Sequence, residues 1–204
     1  MDKEFFLQDA EKVAKELLGK NIFVDGKIAR IVETEAYYDD KDPASRACQN
    51  GDLKETMKME GGTILVYGVH NNWLVNIVTG SCGDAQAVLI RAVEPLNFSL
   101  RSNGPGLLTK SLGIDKSFHK TFVNDKIIIS DDKELGRFKI GKGDKNFGKF
   151  SIRKKDIDEN RFSVGKDLEE DFEIEESFRI GVKKDLDKKL RFYIKGNECV
   201  SKRI

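Results

Sequence analysis

One stretch, residues 29–38 with the sequence ARIVETEAYY, constrains the fold of this chain more than any other part of it. It opens with β-branched residues, which favour an extended strand. The dipeptide Asp25-Gly26 stands just before it, and Asp-Gly between two apolar runs is a strong signal for a two-residue hairpin turn. The sequence therefore predicts an antiparallel hairpin made of residues 21–24 and 27–37.

The second half of this strand carries an unusual pair of charges. Side chains alternate along a strand, so Glu33, Glu35 and Tyr37 share one face. Glutamates are poor strand formers, and they resist burial unless they are paired. The alternation by itself favours a solvent-facing surface of the sheet. The alternative is a carboxylate held beside an aromatic ring at the mouth of a pocket.

Hydrophobic periodicity predicts helices and further strands. Residues 8–18 carry an apolar stripe at helical spacing with Asp9 as the candidate N-cap, and residues 104–113 carry a proline in the first turn and end at Gly113. Strands are predicted at residues 63–67, 73–78, 85–93, 127–129 and 190–194. Residues 39–61 are predicted to be a polar, irregular connection, and a connection of that length is usually functional or disordered.

Arg91 follows the apolar run 87–90 directly. A charge at that point in an otherwise buried strand needs a partner. The nearest acid without another assigned role is Glu35, so the sequence predicts that these two side chains meet.

Two charged segments follow in the second half of the chain. Residues 137–155 interleave lysines and arginines with phenylalanines, a pattern that occurs at nucleic-acid contacts but also in a solvated surface above buried phenylalanines. The second interpretation is favoured. Residues 166–177 are strongly acidic and predict a charged surface segment.

Length and composition bound the remaining possibilities. A chain of 204 residues fits one domain, here residues 1–204, and can bury a core without disulfide bonds. Its net charge of +1 neither requires nor excludes a polyanionic partner. The three dispersed cysteines form no CxxC pair and suit a reducing cytosol. There is neither a signal-peptide pattern nor an apolar run of about 20 residues, so a cytoplasmic protein without a membrane span is expected.

An ordered set of motifs resembles the alkyladenine (3-methyladenine) DNA glycosylase family. The motifs, in chain order, are RIVETEAY at 30–37, DPAS at 42–45, AVLIRAVEP at 87–95, GPGL at 104–107 with LGI at 112–114, and RIG at 179–181 with LRFYIKG at 190–196. The resemblance covers nearly the whole chain. It implies an α+β fold, a single mixed domain with a curved, mainly antiparallel sheet flanked by helices, a fold shared with the formyltransferase C-terminal domain.

The resemblance also implies an activity, the flipping of damaged purines out of duplex DNA and the cleavage of their N-glycosidic bond. Glu35 matches the family's catalytic glutamate, which deprotonates a water that attacks the anomeric carbon. Arg91 matches the arginine that positions this glutamate and the water. A charged pair of this kind is expected to keep Glu35 ionised. Tyr37 matches an aromatic residue that stacks on the flipped base, where stacking is worth roughly 1–3 kcal/mol.

The same resemblance assigns the walls of a base pocket. Asn76 matches an asparagine that crowds the exocyclic amine of guanine, and Tyr67 matches a second stacking aromatic. Arg46 stands where the family usually has a histidine whose main-chain amide contacts the base. The amide contact survives this change, whereas the guanidinium is expected to disfavour cationic bases such as 3-methyladenine.

A second departure lies in the loop between Tyr67 and Asn76, which has one residue fewer than the family pattern and lacks its Tyr-Gly pair. That tyrosine wedges into the duplex and fills the gap left by the flipped base. Here the wedge is either Val69 or His70. Otherwise Tyr67 shifts into that role and the second stacking partner is lost.

The expected enzyme needs no metal and no cofactor, and it acts as a monomer on double-stranded DNA that contains damaged purines. No lysine occupies a catalytic position, so strand cleavage through a Schiff base is not expected. Two alternatives stay open. One is a protein on the same fold that binds nucleic acid without cutting it, and the other is an unrelated hydrolase that uses the same carboxylate.

Overall fold

The structure is a computed structural model that describes residues 1–131 and 172–201. The described strands are β1 (Asn21–Val24), β2 (Lys27–Tyr37), β3 (Ile64–Val69), β4 (Asn72–Thr79), β5 (Gln86–Pro95), β6 (Ile128–Ser130), β7 (Ile174–Ser177) and β8 (Arg191–Ile194). The described α-helices are α1 (Lys3–Phe6), α2 (Ala10–Glu16), α3 (Asp52–Met57) and α4 (Pro105–Leu112), and short 3₁₀ turns lie at Arg46–Cys48 and Lys116–Phe118.

The hairpin predicted around Asp25-Gly26 is confirmed. Strands β1 and β2 pair antiparallel, from Val24 opposite Lys27 to Asn21 opposite Arg30. Both turn residues have positive φ, +46° at Asp25 and +78° at Gly26, as a two-residue hairpin turn requires. The turn therefore fixes the register of the long central strand.

The sheet is built around β2. Its strands run in the order β3-β4-β5-β2-β1-β6, β8 joins β2 beyond the β1 pairing, and β7 pairs with β8. All of these strand pairings are antiparallel. The sheet curls into a half-barrel, which confirms the α+β class with a curved antiparallel sheet. Helix α2 lies against one side of β2, where Thr34 Oγ1 donates a 2.8 Å hydrogen bond to Ala14 O.

The other side of β2 is buried as well, so the interpretation of Glu33 and Glu35 as part of a solvated face is wrong. Both glutamates have no exposed surface. Strand β8 pairs with residues 33–35 of β2, and the segment that precedes β8 packs over the same region. These contacts come from residues more than 140 positions away, which a local pattern cannot report.

Both predicted helices are confirmed at positions close to those expected. Asp9 caps α2 by accepting a hydrogen bond from Glu11 N, and α4 ends at Gly113 with φ +78°. Helix α1 was not predicted. The description of residues 39–61 as irregular is also wrong in part, because a 3₁₀ turn at 46–48 and α3 lie within them.

The acidic segment 166–177 is only partly described. Its last four residues form the partly exposed strand β7, which pairs with β8, so this part of the predicted surface segment belongs to the sheet. The basic segment 137–155 lies outside the described residues, so the structure tests neither the favoured interpretation as a solvated surface nor the alternative of a DNA contact. Within the described ranges, none of the helices combines the length and apolar character that a bilayer crossing needs.

Candidate active site

An irregularity in the β2–β5 pairing places Arg91. Glu33 pairs with Ala92 and the next residue, Thr34, pairs with Ile90, so Arg91 has no residue opposite it. Such a bulge redirects a side chain out of the regular alternation. Arg91 is nearly buried, and its guanidinium contacts both Glu33 and Glu35. The predicted pairing of Arg91 with Glu35 is therefore confirmed, and Glu33 is an additional partner.

The Glu35 carboxylate is held by three donors. Arg91 Nη1 lies 3.2 Å from Oε2, and the Tyr37 hydroxyl donates to the same oxygen at 2.8 Å. The main-chain N–H of Ile180 donates to Oε1 at 2.8 Å. An ionised carboxylate offers about four acceptor positions. One of them is therefore left for a further donor such as a water molecule.

Burial is the strongest influence on the ionisation of Glu35, and it raises the pKa of this carboxyl above its ordinary value. The charge of Arg91 and the hydrogen bonds from Ile180 and Tyr37 lower the pKa, but they do not cancel the effect of burial. The expectation that the charged pair keeps Glu35 ionised is corrected in part, because Arg91 does lower the pKa but burial outweighs it and the net shift is upward. A raised pKa makes the carboxylate a stronger base, as general-base chemistry near neutral pH requires.

Tyr37 connects this carboxylate to a small pocket. Its hydroxyl contacts Glu35, while its ring lines the pocket and is covered by Arg179, whose guanidinium carbon lies 4.5 Å from the ring centroid. Arg179 is itself buried and makes a two-point contact with Asp42, at 2.6 Å and 2.7 Å. This ion pair holds the segment after β7 against the end of β2.

The pocket is lined by all four predicted base-binding residues. Its lining consists of Tyr37, Ala44, Arg46, Met57, Leu65, Tyr67, Asn76 and Ala87. Asn76 pairs across β3–β4 with Leu65, and its Nδ2 donates to Leu65 O at 3.3 Å. The cavity measures about 10 Å³, which is room for about one water and not for a purine.

Arg46 lies over the ring of Tyr67, with its guanidinium carbon 4.8 Å from the ring centroid. It stands at the start of a 3₁₀ turn that Ser45 caps by accepting a hydrogen bond from Ala47 N. Among the described residues, no acidic side chain forms an ion pair with Arg46. The pocket thus has a positively charged wall, and Arg46 occupies one face of the Tyr67 ring.

The predicted wedge residues lie together at the end of the β3–β4 hairpin. Val69 is the last residue of β3 and is half-buried, while His70 is exposed in the turn. His70 and Asn71 both have positive φ, +47° and +60°, so the turn contains two residues. Tyr67 lies further down the hairpin and lines the pocket.

Glu35 itself does not line the pocket and has no exposed surface. Tyr37 links the two, because it lines the cavity and its hydroxyl donates to the carboxylate. In this conformation the four residues Glu35, Arg91, Tyr37 and Arg179 converge, but the site is closed to solvent at the carboxylate.

Sequence reasoning assigned no role to Arg179 or to the partners of Glu33. Arg179 belongs to the RIG motif, which pointed to its importance without indicating its contacts. Arg191 and Ser201 both contact Glu33 from the far end of the chain. Within the described residues, no group of three or more His, Cys, Asp or Glu side chains is arranged to hold a metal ion.

The sequence is similar to those of a family of known proteins. The family profile of methylpurine-DNA glycosylases matches residues 4–145. A protein of Aeropyrum pernix is 35% identical over 99% of this chain and 93% of its own length. Relatives in Borreliella burgdorferi (36% identical, all of both chains) and Legionella pneumophila strain Lens (35% identical, 99% of this chain and 98% of the relative) are equally similar. All three carry the name "Putative 3-methyladenine DNA glycosylase".

Proposed function

The chain belongs to the methylpurine-DNA glycosylase family, and on this premise we propose that it removes damaged purines from duplex DNA by hydrolysing their N-glycosidic bond. The damaged nucleotide is extruded from the stack, which costs a few kcal/mol and is easiest for a base that pairs poorly. The product is an abasic site. The observation that carries this proposal is the convergence of Arg91 and Tyr37 on the buried carboxylate of Glu35, beside a pocket with two tyrosine rings.

Glu35 is the general base in the proposed reaction. Its carboxylate takes a proton from a water molecule, and the water oxygen bonds to the anomeric carbon of the deoxyribose. The bond between that carbon and the base breaks, and its electron pair leaves with the base. An alkylated purine that carries a positive charge becomes neutral as it leaves, so it needs little help from a general acid. Arg91 keeps Glu35 oriented for this proton transfer.

The pocket has to open for this reaction. A space of about 10 Å³ does not admit a purine, and Glu35 has no solvent contact in the closed form. Among the described residues, Arg46 contacts the face of Tyr67 without an ion pair to hold it, so it is the lining side chain that we expect to move. In the proposed complex Arg46 leaves this face, the base stacks between Tyr37 and Tyr67, and the entering nucleotide brings the reactive water within reach of Glu35.

The wall residues suggest which bases are accepted. Asn76 is almost fully buried and is held by Leu65, so it limits the space available to an exocyclic amine such as that of guanine. Arg46 adds a positive charge that repels cationic bases and stabilises the negative charge that develops on a neutral purine as it leaves. We therefore expect neutral lesions such as hypoxanthine or ethenoadenine to be preferred over 3-methyladenine and 7-methylguanine.

A protein that binds DNA without cutting it is the second candidate, and the closed state of Glu35 is the observation that favours it. Incubation with duplexes containing hypoxanthine, ethenoadenine or 7-methylguanine separates the two candidates. The glycosylase leaves abasic sites, which break on alkaline treatment, and it leaves the strand uncut without that treatment. Tight binding with no abasic sites on any lesion would favour the binding protein.

The variant that tests the role of Glu35 is Glu35→Gln, which keeps the shape of the side chain and removes the general base. We expect the excision rate to fall at least about 10²-fold, which is the lower end of the range for the loss of a general base. Binding of damaged duplex should be retained. Glu16→Gln is the control, because Glu16 ends α2 on the opposite side of β2 and the change in net charge is the same. Normal excision by Glu35→Gln would refute the mechanism.

We also expect the protein to act as a monomer, with one molecule bound at each lesion. We expect it to be located in the compartment that holds the chromosome.

A further inference from the structure

Glu33 is a buried carboxylate of the candidate site that accepts four hydrogen bonds. Its Oε1 accepts hydrogen bonds from Arg91 Nε at 3.0 Å, Arg191 Nε at 2.6 Å and Ser201 Oγ at 2.8 Å. Its Oε2 accepts from Ser201 N at 2.7 Å. The side chain has no exposed surface. Glu33 is therefore held without freedom to move, and it takes no part in the proposed proton transfer.

Arg91 donates hydrogen bonds to two carboxylates. Nε donates to Glu33, while Nη1 donates to Glu35 at 3.2 Å. Nη2 lies 3.4 Å from Ser201 Oγ. A guanidinium is planar with donors at fixed angles, so fixing Nε sets the direction of Nη1. Glu33 thus decides how Arg91 approaches Glu35.

Because Arg91 shares its donors between Glu33 and Glu35, Glu35 remains available as a general base. Arg91, Tyr37 and Ile180 use three of its roughly four acceptor positions. If Glu33 did not hold Nε, Arg91 would be free to turn and form the two-point contact that arginine prefers with a carboxylate. That contact would occupy the remaining position on Glu35, which the water needs.

We propose that Glu33 is a positioning residue for base excision, which holds Arg91 in a single-donor contact with Glu35 and so keeps one acceptor position of Glu35 free for the attacking water. The proposal rests on the proposed function, because it assumes that Glu35 activates a water. It adds a role for a side chain that touches neither the base nor the water.

A purely structural role for Glu33 is the competing explanation. Arg191 and Ser201 bring the end of the chain to Glu33, and Arg191 also donates to Ser177 Oγ at 3.0 Å. Two guanidinium groups and two carboxylates share this buried region, so they balance in charge. Loss of Glu33 alone would leave Arg191 without its carboxylate, which destabilises a protein whatever the catalytic role.

The pair Glu33→Gln and Glu33→Gln/Arg191→Gln separates the two roles, because the double variant removes one charge of each sign. Glu16→Gln is again the control for net charge. Each protein is tested for its melting temperature, its affinity for duplex with the best lesion, and its single-turnover excision rate from pH 5 to pH 9. A misplacement of about 1 Å in a catalytic group costs about 10²-fold in rate, so a loss of that order is expected in both Glu33 variants.

The pH profile of the double variant supplies a readout that a structural role would not change. The charged or ionisable groups facing Glu35 are Glu33 and Tyr37 on β2, Arg91 on β5 and, across the β2–β8 pairing, Arg191, with Arg179 behind the Tyr37 ring. The negative charge of Glu33 raises the pKa of Glu35, and a second donor from Arg91 would lower it. The acid limb of the rate profile should therefore move to lower pH in Glu33→Gln. A shift that persists in the double variant, where one charge of each sign is lost, reports the second donor from Arg91.

Support for the proposal is a folded double variant that binds duplex within a few-fold of the unaltered protein, excises about 10²-fold more slowly and has its acid limb at lower pH. Recovery of the full rate in the double variant would overturn it in favour of charge balance. An unchanged rate or an unshifted limb in Glu33→Gln would overturn it too. If the unaltered protein excises no lesion, the proposed function fails, and this outcome is distinct from a failure of the role of Glu33.

Discussion

The hydroxyl of Tyr37 donates a 2.8 Å hydrogen bond to Oε2 of Glu35, so one residue forms both the aromatic wall of the pocket and the cover of the buried carboxylate. Arg179 lies on the ring of the same tyrosine, at 4.5 Å from its centroid, and holds it in place. This relationship couples base stacking to the state of the general base, because movement of the ring changes a hydrogen bond of Glu35.

The first prediction concerns Tyr37→Phe, which keeps the ring and removes the hydroxyl. The hydroxyl lowers the pKa of Glu35, so its loss should raise that pKa further. Since only the deprotonated base is active, the excision rate rises with pH through this pKa. The acid limb of the unaltered protein should lie above 4.5, the ordinary glutamate value, and that of Tyr37→Phe at still higher pH.

Single-turnover rates measured against pH test this prediction. Tyr38→Phe is the matched control, because the hydroxyl of the next residue also contacts a carboxylate, Asp9 Oδ1 at 3.0 Å, away from the pocket. An acid limb at lower pH in Tyr37→Phe would contradict the assigned hydrogen bond.

The second prediction concerns the charge of Arg46. Arg46→Gln should increase excision of cationic 7-methylguanine relative to neutral hypoxanthine by about tenfold, or ~1.4 kcal/mol, the order expected for one partly screened charge pair. The ratio of the two excision rates in one reaction mixture measures the effect. Arg101→Gln removes the same charge from an exposed side chain outside the pocket lining and should leave the ratio unchanged. A ratio that moves towards hypoxanthine would refute the assigned role.

The third prediction concerns the buried pair of Asp42 and Arg179. Asp42→Asn removes one of the two carboxylates that contact the buried Arg179, and Asp185 remains as its partner. The loss should therefore be no larger than about 3–5 kcal/mol, the cost of removing one partner of a buried pair. Urea unfolding at pH 7 measures this loss. Asp40→Asn is the matched control, since Asp40 is exposed and pairs with Lys54 only at 3.5 Å, so its effect should be below about 1 kcal/mol.

The same pair predicts how stability depends on pH. Burial acts to raise the pKa of Asp42, but the hydrogen bonds from Arg179 and from two main-chain amides bring it below the ordinary 3.8. The folded state therefore binds this proton less readily than the unfolded state. The stabilisation is fully present above pH 3.8 and is lost as pH falls through the lower folded value. Equal losses for Asp42→Asn at pH 7 and pH 2 would contradict the assignment.

The fourth prediction concerns the end of the β3–β4 hairpin. His70 is exposed in the turn at φ +47°, and asparagine tolerates this conformation, so His70→Asn removes the ring with little strain. If His70 is the wedge, the variant should excise several-fold more slowly from duplex and at an unchanged rate from single-stranded DNA, where no gap needs filling.

Val69→Ala is the companion variant for the same measurement. A larger duplex-specific loss in Val69→Ala would assign the wedge to Val69 instead. If neither variant shows a duplex-specific loss, the remaining candidate is Tyr67, and the pocket then has only one stacking ring.

The sequence by itself determined the local elements and the order in which the chemical groups occur. Asp25-Gly26 specified the hairpin because both positions accept positive φ, and alternation placed Glu33, Glu35 and Tyr37 on one side of β2. Arg91 after an apolar run required an acidic partner, and Glu35 is one of the two that the structure provides. The hairpin turn, the alternation of faces and the need of Arg91 for an acidic partner all follow from neighbouring residues, so a linear pattern is enough to predict them.

Only the tertiary structure decided that the glutamate-bearing side of β2 is buried. The main-chain amide of Ile180, 145 positions beyond Glu35, donates to Glu35. That of Ser201, 168 positions beyond Glu33, donates to Glu33. These donors replace the water that the two buried carboxylates have lost. The bulge that turns Arg91 towards them arises in the pairing of two strands, and neither strand encodes it alone. Burial and charge pairing are properties of packed surfaces, and distant parts of the chain create them only when the sheet closes around β2.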